Sequence, residues 1–207
     1  MWDKNFLVEL PVYKGFFYSA TPQGVRFGDA EGGSEFALDG SEAVFTTGVS
    51  LSMVPSSMSV EFFKRLLAGV DSYELNGVFY VDCNQQMQDL WFMFEGYWIQ
   101  ILGSDMLTDI SIFQDRSICV VNFVPSVDNF WVLGNTIYKD YYVYHNPERS
   151  VMAWVPTKAY KKSELIFSPR PTAIMQPDGY SWRAVFIKLF VALGLGADTP
   201  VLVQLHI

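Results

Sequence analysis

Short apolar segments separated by turn residues recur about every ten residues near the start of the chain: FLVELPV, KGFFYSA, QGVRFGD, SEFAL and AVFTT. They are rich in Phe, Tyr and Val, side chains that pack well on a pleated surface, and they predict strands in an antiparallel meander. Between Pro55 and Val70 the period changes. Val60, Phe63, Leu67 and Val70 stand three or four apart behind a Ser-Ser start, with Gly69 near the end, which predicts one amphipathic helix. Strand-like runs then return as GVFYVDC, DLWFMFEG, YWIQIL, SICVVNFV, FWVLG and YYVYH, carrying the β pattern to about Val155. The expectation is a mostly β unit over residues 1–155.

Beyond it the pattern breaks. Pro156 to Gly179 contains Pro156, Pro169, Pro171, Pro177 and a Lys-Lys pair without clear periodicity, so residues 156–180 read as a linker. Residues 181–207 turn apolar again, and the run AVFIKLFVALGLGA from Ala184 to Ala197 includes Lys188. That run is shorter than the ~20 mostly apolar residues that cross a bilayer. Three readings stay open for this tail: a helix packed on the domain or a partner, a membrane-associated segment, which is not favoured, or a stretch that does not fold. The ending DTPVLVQLHI, with Asp198 and Pro200 interrupting, does not meet a lipid-anchor signal.

Composition narrows the function classes. Half of the 207 residues are hydrophobic, enough for a substantial core. Charged residues make up 17% and the net charge is −8, which offers no basic footprint for a phosphate backbone, so nucleic acid is not an expected partner. Cys83 and Cys119 have no histidine at zinc-ligand spacing, His145 and His206 lying far downstream, so no metal is expected. Were the two cysteines to pair, closing a loop of ~37 residues would stabilise the fold by roughly 4 kcal/mol on the chain-entropy model, and pairing would require an oxidising compartment. Inert buried thiols are the alternative. The opening MWDKNFLVELP lacks a basic region followed by an apolar stretch, so no signal peptide is visible in it.

Several local motifs can be set aside. Gly48-Val49-Ser50-Leu51-Ser52 lacks the second glycine of a serine-hydrolase elbow. Gly194-Leu195-Gly196 lacks the third glycine and the strand-turn-helix setting of a nucleotide fingerprint, and no cofactor is expected. His145, in a run of tyrosines, reads as a strand residue with a satisfied hydrogen bond. Asn135 and Asn146 read as turn residues.

The order of the remaining motifs resembles the C-terminal lobe of pepsin-like aspartic peptidases. AVFTTGVSLSMVPSSMSVEFFKRL has the family's layout of a strand, an Asp-Thr/Ser-Gly-Thr/Ser turn, a proline and a helix. YVDCNQQMQDLWFMFEGYWIQI, RSICVVNF and FWVLGNTIYKDYYVYHNPERSVMAW follow in the family's order, and the resemblance spans roughly Phe6 to Val155. It implies a β lobe with one or two short helices, a disulfide between Cys83 and Cys119, a secretory or extracellular location, and a turn at Thr47-Gly48 threaded by Val132-Leu133-Gly134.

The resemblance also implies what chemistry is missing. The family's reaction needs two carboxylates, one from each lobe, sharing a proton so that one is base and the other acid. At the matching position this chain has Thr46, whose neutral hydroxyl cannot serve as that base. Thr47, Gly48 and Ser50 keep the loop, whereas the hydroxyl residue that normally supports the carboxylate is replaced by Val49. No Asp-Thr-Gly or Asp-Ser-Gly occurs anywhere; Leu38-Asp39-Gly40-Ser41 and Pro177-Asp178-Gly179-Tyr180 have the wrong order. The expectation is a lobe or fragment of an aspartic endopeptidase that does not cleave peptides alone, its partner being an N-terminal lobe outside this chain. A pseudopeptidase that binds a protein or peptide is the alternative.

Overall fold

A computed structural model describes residues 7–14, 17–38, 40–110, 117–157, 165–168, 170–173 and 175. Aromatic and β-branched runs produce many of the strands, and these assemble into four sheets among the described residues. The largest has six strands in the order Phe123–Pro125, Ser52–Val54, Trp131–Leu133, Ala43–Phe45, Tyr18–Ala20 and Tyr13–Lys14. A five-stranded sheet runs Leu165–Phe167, Tyr97–Ile101, Leu90–Phe94, Gly24–Phe27 and Ser34–Ala37. A four-stranded sheet runs Leu107–Asp109, Ile118–Val121, Val78–Asp82 and Ser72–Leu75. Val8–Pro11, Val151–Pro156 and Tyr141–Asn146 make a three-stranded sheet.

Pairing is antiparallel except at two places, where Trp131–Leu133 runs parallel to Ala43–Phe45 and Phe123–Pro125 runs parallel to Ser52–Val54. The outline is therefore mostly β as expected, but it is not a simple meander. Strands far apart in sequence become neighbours because parallel pairs need a crossover and cannot be closed by a tight turn.

One α-helix, Ser59–Leu66, is present among the described residues. The expected apolar stripe of Val60, Phe63, Leu67 and Val70 is corrected in register: Phe62, Phe63 and Leu66 are the apolar residues buried, while Val60, Leu67 and Val70 are only half-buried. The helix stops short of Val70 because the chain reverses at Gly69, whose positive φ of 77° suits glycine. Phe62 is fully buried and meets Phe27 at 5.4 Å, Trp131 at 5.5 Å and Phe123 at 5.6 Å between ring centroids. It thereby joins the two large sheets, which also touch through Phe92 and Trp131 at 5.2 Å and Phe45 and Phe94 at 5.4 Å. Such aromatic contacts carry large buried areas, and those of Phe62 with Phe27 and Trp131 and of Phe92 with Trp131 are edge-to-face.

Leu90–Phe94 is buried on both faces. Its outer face carries Trp91 and Met93, which form a small second core with Trp98. The stretch read as a linker covers that side. Leu165–Phe167 adds an edge strand against Tyr97–Ile99, Trp98 Nε1 donates to Ser168 Oγ at 2.7 Å, and Arg170 donates to the carbonyls of Leu38 and Gln23 at 2.8 and 3.3 Å. The described part of 156–180 is thus a packed strap. Prolines suppress periodicity but not docking, since Pro can follow an edge strand whose outer groups need no partner. The Ala184 to Ala197 run, and with it residues 181–207, lies outside the described residues. No helix among those described is long and apolar enough to cross a membrane.

Candidate functional site

The strand Ala43–Phe45 ends where Thr46 donates its amide to the Leu133 carbonyl at 3.1 Å. The Thr46 hydroxyl then accepts the amide of Gly48 at 3.1 Å. This bond lets a side chain replace a backbone acceptor and turns the chain at Thr47-Gly48. Thr47, Gly48 and Ser50 are exposed; Thr46 and Val49 are half-buried.

The chain returns as Ser52–Val54, and the two arms of this loop do not pair with each other. Trp131–Leu133 lies between them, with Trp131, Val132 and Leu133 opposite Ala43, Val44 and Phe45 on one side and Val132 opposite Met53 on the other. Gly134 donates its amide to the buried Ser52 hydroxyl at 3.0 Å, and Asn135 donates to the Val49 carbonyl at 2.9 Å. A Cβ on Gly134 would stand 2.6 Å from that same carbonyl oxygen, so the crossing requires glycine. The structure therefore brings Thr46 to Ser50 and Val132 to Gly134 together.

Ser52 was not singled out by the sequence, although Ser50 was. The available signal was alternation: with Ser50 exposed, a residue two on at the start of the next strand is the one able to turn inward once Leu51 straightens the chain.

The bonds that shape the loop come from backbone groups and the Thr46 and Ser52 hydroxyls. His145 lies nearby in the fold through Tyr18, which pairs with Phe45 and meets the imidazole at 4.7 Å. Burial lowers its pKa, favouring the neutral ring. Its Nδ1 is buried with no hydrogen-bond partner among the described residues and the ring packs on Tyr18, so the expected hydrogen bond is not found at that nitrogen. Asn146 does take a turn role, its Oδ1 accepting the amides of Glu148 and Arg149 at 3.1 and 3.0 Å.

Cys83 and Cys119 form a disulfide with their Cα atoms 5.0 Å apart. The antiparallel pairing of Ile118 with Asp82 and Cys119 with Val81 places them side by side. Asp109 lies opposite Cys119 on the next strand, and its carboxylate approaches both sulfurs. The sulfurs are spent on each other and offer no thiolates to a metal.

A loop of this form can position a group at Thr46 with little freedom, yet what it positions is a neutral hydroxyl already accepting a hydrogen bond. Compared with known families, residues 4–154 match the family described as eukaryotic aspartyl protease. No curated protein matches the chain.

Proposed function

The chain belongs to the eukaryotic aspartyl protease family, and from that premise we propose that it is a pepsin-like lobe which does not cleave peptides by itself and acts by binding a protein partner. The observation that carries the proposal is Thr46, at the head of the threaded loop. Peptide hydrolysis by a carboxylate pair needs one group to take a proton from water while the other gives one to the carbonyl oxygen. The Thr46 hydroxyl has no accessible ionisation for that exchange, and its oxygen is engaged by Gly48. Val49 contributes its carbonyl to the loop and has no hydroxyl to support a carboxylate. Two copies of the chain would bring two threonines and still no dyad.

The partner surface we favour is the outer side of the three-stranded sheet, where a second lobe or another protein would sit. Tyr142 and Tyr144 alternate on Tyr141–Asn146 and are 65% and 61% exposed, and Leu7 is 44% exposed. Exposed aromatics grouped on a sheet commonly mark an interaction surface. The disulfide fits an oxidising compartment, and a secretory or extracellular location is part of the proposal.

Thr46→Asp in the purified chain supplies one carboxylate per molecule, and no acid proteolysis is expected from the monomer. Cleavage of an unfolded protein by monomeric Thr46→Asp, at a rate first order in the variant, would overturn the reading.

A further inference from the structure

The five-stranded sheet has both of its sides covered by the chain itself. Leu165–Phe167 is laid along Tyr97–Ile101 at one side, and at the other the Ala37 amide donates to the Ala173 carbonyl at 2.5 Å while the Met175 amide donates to the Ala37 carbonyl at 3.4 Å. The four-stranded sheet is treated differently. Ser72–Leu75 ends it, all four residues are exposed, and no described strand pairs along the outer side. A bare edge of this kind is a template for an added strand.

The hairpin turn fixes which groups face outward. Asn76 and Gly77, at positive φ of 54° and 78°, join Leu75 directly to Val78. In such a hairpin Leu75 and Tyr73 exchange hydrogen bonds with Val78 and Tyr80, so the amides and carbonyls of Ser72 and Glu74 point away from it. Side chains alternate in the same way. Phe79 and Val81 are buried on the inner face, whereas Tyr73 stacks on Tyr80 on the outer one with ring centroids 4.9 Å apart. The register adds Leu75, Val78, Ile118 and Val120 to that outer face, where Tyr73 and Leu75 are 54% and 56% exposed and the others half-buried.

The charges on this sheet are of one sign. Its four strands contain Glu74, Asp82 and Asp109 and neither lysine nor arginine, and Asp71 precedes the edge strand. Asp82 shares the outer face, and its carboxylate accepts only the neutral amide groups of Asn84, at 2.8 and 2.9 Å. Edge-to-edge pairing with a second copy would bring Glu74 and its neighbours against their own kind, which disfavours a homodimer through this strand. A strand that alternates apolar with basic residues meets both demands, one of its faces continuing the Tyr73 and Leu75 row and the other turning cations to Glu74.

We propose that the open edge Ser72–Leu75 and the apolar face beside it form a docking site for an extended segment of a partner protein in which apolar and basic residues alternate. The backbone of the added strand hydrogen-bonds Ser72 and Glu74, its apolar side chains lie beside Tyr73 and Leu75, and its cations stand on the side of Glu74. The site belongs to a different sheet from Tyr142 and Tyr144 and does not depend on the use made of that surface.

The test is titration of the whole isotope-labelled chain with two synthetic heptapeptides, one alternating Val with Lys and one alternating Val with Glu. Working at pH 8 keeps Glu74 ionised although burial raises its pKa. The Val/Lys peptide is expected to bind about tenfold or more tightly than the Val/Glu peptide. Its binding should slow amide exchange at Ser72 and Glu74, while Tyr73 and Leu75, already bonded within the hairpin, change little. Tyr73→Ser combined with Leu75→Ser should weaken binding by about tenfold; both side chains are exposed, so the fold is expected to survive, and thermal unfolding checks this. No binding of the Val/Lys peptide, equal affinity for the two peptides, new protection on the Leu107–Asp109 edge instead of at Ser72 and Glu74, or self-association of the chain through Ser72–Leu75 would each overturn the proposal.

Discussion

The Thr46 loop and the Asp105–Asp140 junction lie at the two ends of one short stretch of chain, Gly134 to Asp140, and different forces act on them. At the loop the fixing contacts are backbone amides and carbonyls, two hydroxyls and the close approach of Gly134 to Val49. None of these titrates. At the junction Asp105 carries a carboxyl whose pKa is pushed up to about 6, first by burial and then by the neighbouring Asp140, with Asp89 adding to this and Lys139 opposing it. A loop whose geometry rests on neutral groups can keep its form without a charge at its head, whereas the raised pKa of Asp105 ties stability to pH. The difference separates retaining a family's frame from retaining its chemistry.

The largest effect is expected at the disulfide. Cys119 pairs across to Asp109 at the end of the strand that leaves the Asp105 turn. Replacing Cys83 and Cys119 by Ser should therefore loosen the acid side, lowering unfolding stability by about 4 kcal/mol in denaturant titrations, while exchange protection of the amides of Thr46 and Gly134 falls no further than the global loss requires. A selective loss at Thr46 and Gly134 would contradict the division.

Next in size is Gly134→Ala, which places a Cβ on the Val49 carbonyl. A cost of about 3 kcal/mol is expected because a backbone atom, not a flexible side chain, must yield, and the loss should be the same at pH 5 and pH 7. A pH-dependent loss would show that the loop depends on ionisation after all.

Asp105→Asn should act in the reverse way. A group whose folded pKa is raised contributes stability that is fully present below its unfolded pKa near 4 and lost as pH rises through about 6. Two pKa units would give roughly 3 kcal/mol for a fully buried group, but Asp105 is only half-buried and screening reduces this to about 1 kcal/mol. The variant should match the wild type near pH 4 and exceed it by that amount near pH 7 in thermal or denaturant unfolding. Equal stability at both values would remove the acid side of the contrast.

The smallest effect belongs to Thr46→Val, which deletes one half-exposed hydrogen bond to Gly48. A loss of about 0.5–1 kcal/mol is expected, with chemical shifts changing at 46–49 and not at 105 or 140.

Much of the frame was legible in the sequence because it is written in short-range patterns. The runs around Val78, Leu90, Tyr97 and Ile118 alternate or stay apolar over strand length, and all became strands. The threaded loop was legible through resemblance, in the order of AVFTTGVSL and FWVLG. Pairing partners were not, since neither the parallel contact of Ser52–Val54 with Phe123–Pro125 nor the docking of Leu165–Phe167 leaves a local period. The helix register was misread because Phe62 is drawn inward by Phe27, Phe123 and Trp131, a demand set by two sheets and invisible in the helix alone. Asp105 and Asp140 had no signal either, since nothing local marks two aspartates from separate turns as electrostatic neighbours.

The most direct test of the account is the cleavage of an unfolded protein substrate by the purified wild-type chain from pH 2 to pH 7. No cleavage is expected at any pH, with Thr46→Val indistinguishable from wild type. Acid-dependent cleavage that purifies with the chain and disappears in Thr46→Val would contradict it, placing catalysis at the residue held here to be inert.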